Sequence, residues 1–139
     1  MQIEIFCLCR NVLINARQEP TLMEIFDSVT AAQEPVWVGP FIVVASVRFF
    51  REEKINARFD FVLHEHQGKE LVRSTEIISI TDRPQPSTTY LLQCVMARNR
   101  VNFGRYDFSI EQDGKSLANT VLWVQQDKLL PPRFRFPVL

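Results

Sequence analysis

Residues 106–111 read Tyr106-Asp107-Phe108-Ser109-Ile110-Glu111, an apolar and a polar residue in strict turn. A period of two sends successive side chains to opposite faces of an extended chain, so one face meets a core and the other meets water. Asp113-Gly114 follows, a pair that tolerates the positive φ angles of a two-residue hairpin. Ser116–Val124 then resumes an extended pattern, and the whole unit predicts a β-hairpin.

The same rhythm recurs upstream. In Ile55–His66 the residues Ile55, Ala57, Phe59, Phe61 and Leu63 fall on one side, and Asn56, Arg58, Asp60, His64 and His66 on the other. Gln67-Gly68 supplies a second, weaker turn signal. Phe41–Phe50 is more continuously apolar, as suits a central strand. Gln2–Arg10, Leu22–Thr30, Leu71–Ile80 and Tyr90–Ala97 complete a set of about eight strands. Pro20–Ala32 also fits helical spacing through Leu22, Met23, Ile25, Phe26 and Val29, but its β-branched residues and its surroundings favour strand. Glu34-Pro35 through Gly39-Pro40 and Arg83 through Ser87 break the chain between strands. The expected fold is all-β, an antiparallel β-sandwich of the immunoglobulin-like or jelly-roll-like kind. One domain is expected over residues 1–125. Residues 126–139, with Pro131-Pro132 and then Arg133-Phe134-Arg135-Phe136, form an arm or strap outside it.

Composition narrows the function. The chain has 139 residues, enough for one core, and its eleven phenylalanines suit a thin two-layer interior. Sixteen basic residues balance sixteen acidic ones, so no global field draws a phosphate backbone and nucleic acid is not an expected partner. The first ten residues, with Glu4 and Arg10 among them, read as a strand rather than a signal peptide. No apolar run approaches the ~18 residues of a membrane span. Three cysteines, an odd number without framework spacing, point to a reducing cytoplasm.

Three segments together carry a resemblance. They are Ile3-Glu4-Ile5-Phe6-Cys7-Leu8-Cys9, the run Pro35-x-x-x-Gly39-Pro40-Phe41-x-x-Val44-x-x-Val47-x-Phe49, and Gly104-Arg105-Tyr106-Asp107-Phe108 with its Asp113-Gly114 hairpin. In order and spacing they resemble a family of short bacterial proteins known only as a domain of unknown function. The resemblance spans Gln2 to Val124 and implies a stand-alone β-sandwich. It brings no catalytic residues to carry over.

Candidate sites are few. Cys7-x-Cys9 and His64-x-His66 together have the donor types of a zinc site. The parity of the strands sets them apart, however: the cysteines align with Ile3 and Ile5 on the core side, and the histidines with Arg58 and Asp60 on the solvent side. Buried thiols and a solvated His64/His66 pair are therefore expected, with no cofactor. A metal-dependent enzyme using His64 and His66 is the third-ranked alternative. No Ser or Cys sits in a nucleophile-elbow context, the Glu52-Glu53 pair lies in a charged turn, and four glycines form no phosphate cradle. Catalysis is not expected. Tyr106, two residues after Gly104, is expected to anchor a corner through its hydroxyl.

The residues left unexplained are Trp37, in a sequence that reads as a loop at one sandwich end, and Phe134 and Phe136 in the tail. Trp37 reads as a plug over the core end or as a binding aromatic. The tail phenylalanines read as packing across the chain's own sandwich or as an arm reaching a neighbour. The expected function is that of a non-catalytic interaction module whose partner is another protein or a second copy of itself. Small-ligand or carbohydrate binding at the Trp37 loop is the alternative.

Overall fold

A computed structural model of the chain describes residues 1–17, 19–50, 55–80 and 87–127. The alternating segment at 106–111 lies in β10 (Gly104–Gln112), which turns at Asp113-Gly114 into β11 (Lys115–Gln126). Asp113 and Gly114 have φ of 52° and 77°, the left-handed pair that the hairpin requires. Tyr106, Phe108 and Ile110 face the core, while Arg105, Asp107 and Glu111 face outward. On the other side of β10 runs β6 (Ile55–Glu65), with Ala57, Phe59, Phe61 and Leu63 in the core as their spacing predicts. Then comes β7 (Glu70–Ile80).

The facing sheet is built on β5 (Phe41–Phe50), which sends Phe41, Val43, Ala45, Val47 and Phe49 inward. It is flanked by β8 (Ser87–Met96) and by β1 (Gln2–Ile14), and β1 pairs in turn with β2 (Pro20–Phe26). The remaining strands are β3 (Ser28–Ala31), β4 (Val36–Val38) and β9 (Asn99–Val101). The result is a β-sandwich. A four-stranded sheet β2-β1-β5-β8 packs on a five-stranded sheet β3-β11-β10-β6-β7, and β4 pairs with β9.

Three expectations need correction. The single strand expected at Leu22–Thr30 is two strands, β2 and β3, in different sheets. Glu24, with φ of 56°, breaks the regular extended backbone of β2, and Asp27 carries the chain across between the layers. With this split and the short β4 and β9, the described residues form eleven strands where about eight were expected. Secondly, β3 runs parallel to β11, from Ser28 opposite Trp123 to Ala31 opposite Gln126, so the pairing is not wholly antiparallel. Thirdly, an irregularity between Ile3 and Ile5 shifts the phase of β1. Phe6 and Leu8 then face the core, Ile5 is 46% exposed, and Cys7 and Cys9 lie opposite Val44 and Ile42 on the outer face. Cys9 is nonetheless fully buried. The Glu52-Glu53 turn, the breaker at 83–86 and the tail from residue 128, including Phe134 and Phe136, lie outside the described residues.

Phe59 has no accessible surface and meets Phe49 of the facing sheet, ring centre to ring centre, at 6.3 Å. Truncating such a residue removes transfer free energy and leaves a cavity. Phe59→Ala should lower unfolding stability by ~3–5 kcal/mol in urea titrations, whereas Arg58→Ala, its exposed neighbour, should stay within ~0.5 kcal/mol.

Candidate functional site

β4 and β9 close one end of the sandwich. Three residues of each pair antiparallel, with Val36 opposite Val101, Trp37 opposite Arg100 and Val38 opposite Asn99. The period of two then divides the work along β4: Val36 and Val38 are buried in the core, and Trp37 points outward, 50% exposed. The stretch that read as a loop is therefore a strand, and the plug over the core end is the valine pair, not Trp37.

The exposed indole has cationic company. The Arg98 guanidinium lies over the Trp37 ring at 4.3 Å from its centre, and Arg100, across the ladder, lies at 5.5 Å. Neither arginine forms an ion pair among the described residues. Arg98 is brought close by the backbone. Gly39 has φ of +96°, and a Cβ built there would stand 3.1 Å from the Ala97 carbonyl oxygen and 3.4 Å from the Arg98 Cα. Asn99 donates from Nδ2 to the Ala97 oxygen at 2.9 Å and tightens the same turn.

The rim is pinned on both sides. Glu34 accepts the Phe103 N–H at 2.8 Å, and the Tyr106 hydroxyl donates to the Asn102 carbonyl at 2.8 Å, the corner role expected of it. Desolvation raises the Tyr106 pKa, so this hydroxyl keeps its proton and remains a donor. Between these anchors lies a cleft of about 160 Å³ walled by Pro35, Glu65, Leu71, Arg100, Asn102 and Tyr106. The sequence reading singled out Trp37 and missed Arg98 and Arg100. The signal was there in Arg98-Asn99-Arg100, whose spacing puts both guanidinium groups on one side of an extended chain.

The histidines lie elsewhere. His64 sits opposite Asp107 on the outer face of the five-stranded sheet, and its Nδ1 lies 3.0 Å from the Glu65 carbonyl. His66 Nδ1 lies 2.9 Å from Asp107 Oδ2. Since those oxygens accept, Nδ1 is the donor in each of these two contacts. Cys7 and Cys9 are on the outer face of the other sheet, so the two pairs stand on opposite sides of the sandwich. Among the described residues no three metal-binding side chains converge. Desolvation raises the pKa of Cys7, Cys9 and Cys94 alike, leaving each as a thiol of low reactivity.

Outward-facing charges on the five-stranded sheet form two groups, one around Arg73 and one around Asp107. Arg73 reaches Asp60 at 3.0 Å and Glu70 at 2.7 Å, and Arg105 reaches Asp107 at 3.0 Å. A 2.6 Å hydrogen bond from Thr75, helped by Arg58 and Arg73, holds the Asp60 carboxyl below its ordinary range. At Asp107 desolvation pushes the carboxyl upward, but hydrogen bonds from His66 and Arg105 outweigh it, and the net shift is downward.

Two predictions follow from this geometry. Because its folded pKa is depressed, Asp107 contributes stability that is present above its unfolded pKa of about 3.9 and is lost as pH falls through the folded value. Asp107→Asn should therefore be less stable than wild type near neutrality, and the gap should narrow below about pH 4 in pH-dependent thermal melts. Gly39→Ala should cost ~1–3 kcal/mol through its backbone conformation and displace the Ala97–Arg98 turn, changing the Trp37 emission.

Comparison with known proteins adds the following. An immunoglobulin-like protein from Pseudomonas aeruginosa is similar over 88% of this chain and 94% of its own, at 10% identity and a TM-score of 0.38. No curated protein matches the sequence. A family model described as a family of unknown function, DUF6941, matches residues 4–125, from β1 through the Trp37 end to β11, and the chain belongs to that family.

Proposed function

We propose that this protein is a non-catalytic interaction module that receives an acidic segment of a partner protein on the Trp37 end of its sandwich. The observation that carries the reading is the half-exposed Trp37 between Arg98 and Arg100, two cations without carboxylate partners among the described residues. A guanidinium stacked on an indole keeps the edge of its N–H fork open, and that edge matches a carboxylate in bidentate geometry. Trp and Arg are also the residue types on which binding energy concentrates at protein interfaces.

Two alternatives fit less well. The adjoining cleft of about 160 Å³ is below the ~300–1,000 Å³ that encloses a small-molecule ligand. A sugar would need to stack on a ring face, and Arg98 already occupies one. Nucleic acid would find two guanidinium groups on a chain of zero net charge, without an extended basic track.

The test is a fluorescence titration in a Trp123→Phe background, so that the signal belongs to Trp37. The titrants are a glutamate-rich peptide, a lysine-rich peptide and a single-stranded oligonucleotide. The glutamate-rich peptide should bind best, weaken with salt, and lose at least ~10-fold in affinity in Arg98→Ala/Arg100→Ala, about 1.4 kcal/mol. Equal response to the two peptides, no response to either, or tighter binding of the oligonucleotide overturns the proposal.

A further inference from the structure

The sandwich has four sheet edges, and three of them carry devices that discourage further pairing. β2 begins at Pro20 and has Glu24 at φ 56°. β3 has only four residues. β7 carries Glu70, Arg73 and Glu76 along its length. The fourth edge, β8, has none of these. Its sequence Ser-Thr-Thr-Tyr-Leu-Leu-Gln-Cys-Val-Met holds no charge, no proline and no glycine. All ten residues pair with β5, from Ser87 opposite Phe50 to Met96 opposite Phe41, without a register shift. Among the described residues β5 is the only ladder partner of β8, and no described strand meets the straight row of backbone donors and acceptors along its other edge.

We infer that two copies of the chain associate through β8, strand against antiparallel strand across a two-fold axis, so that their four-stranded sheets become one continuous sheet. Several observations select a second copy as the occupant. An antiparallel edge is complementary to itself in its backbone, and a two-fold contact uses the same patch on both partners. With no charged side chain on β8, self-juxtaposition brings no like charges together, and nothing on the strand selects a charged stranger. The chain's net charge is zero, so copies do not repel at long range.

The side chains that flank the edge agree with this. On the outer face β8 presents Leu91, Gln93 and Val95, with Val95 71% exposed, and Ile42 lies beside Val95 on β5. Joining two such edges extends an apolar outer surface and shields Val95. The contact belongs to the small interface class, under roughly 1,200 Å², so a micromolar dissociation constant is expected.

Sedimentation equilibrium on the full chain over about a hundredfold concentration range should resolve a monomer–dimer equilibrium. Gln93→Lys/Val95→Lys gives β8 the protection that the other edges have and should weaken the dimer at least ~10-fold. Ile77→Lys places charge on the β7 edge, at a residue 68% exposed, and should leave the equilibrium unchanged. Phe134→Ser/Phe136→Ser should also leave it unchanged. Hydrogen exchange on the wild type gives a readout independent of variant folding, because the β8 amides should gain protection with concentration. A monomer at every concentration, a dimer indifferent to the β8 lysines, a dimer dissolved by the tail substitutions, or β8 exchange that ignores concentration overturns the inference.

Discussion

Phe41 meets Phe108 of the facing sheet at 5.7 Å and, on its other side, Phe26 at 5.5 Å, both edge to face. Phe6 against Phe61 and Phe49 against Phe59 bridge the same gap. Each such pair adds ~0.5–1.5 kcal/mol beyond the area it buries, and together they fix how the two sheets sit on one another. The end of the sandwich follows from this. Phe41 is the first residue of β5, so once its ring is locked against Phe108 the chain just before it, Gly39-Pro40, has a fixed exit. β4 must then lie across the opening with Val36 and Val38 inward, which leaves Trp37 only the outward side.

The outer surfaces of the two sheets differ in character. On the five-stranded sheet Arg73 pairs with Asp60 and Glu111, and Arg105 with Asp107, so that surface is lined with ion pairs and its edge β7 is charged. On the four-stranded sheet Ile5, Met23, Ile25 and Val95 are exposed, and Val44 and Cys9 are buried. A protein with two polar outer faces would need no account of its edges. Here the least guarded edge borders the more apolar face.

Much of this was legible in the sequence where a local rule sufficed. Period-two alternation placed Phe59, Phe61, Phe108 and Ile110 correctly, and Asp113-Gly114 set its hairpin, because both depend only on near neighbours. The readings that failed needed information from across the fold. The phase of β1 changes at an irregularity between Ile3 and Ile5 that no residue there announces, and with it the face of Cys7 and Cys9 reverses. The Cys and His pairs remain apart, but as residues of opposite outer surfaces rather than of core and solvent. The break between β2 and β3 at Asp27 likewise depends on partners distant in sequence, β1 for β2 and β11 for β3. At the candidate site Trp37 was noticed because it is a tryptophan outside the expected strands. Its arginines were overlooked because their proximity is created by Gly39 packing on Ala97, a contact between residues far apart in sequence.

The β3–β11 pairing has a consequence for how the protein is made. Gln126 bonds the Ala32 carbonyl across 94 residues, and β3 has no ladder partner other than β11 among the described residues. During synthesis, at ~5–20 residues per second, the first half of the chain waits several seconds before the strand that completes this edge leaves the ribosome. Until then β3 lacks its sheet, and the crossover at Asp27 leads to nothing. Completion of the sandwich is thus a late event that joins early and late segments, a high-contact-order step of the kind that makes sandwiches slow to fold. A nascent chain cut short before β11 would leave β3 without its ladder and β10 paired only with β6, baring an edge of β10 that β11 covers in the finished molecule.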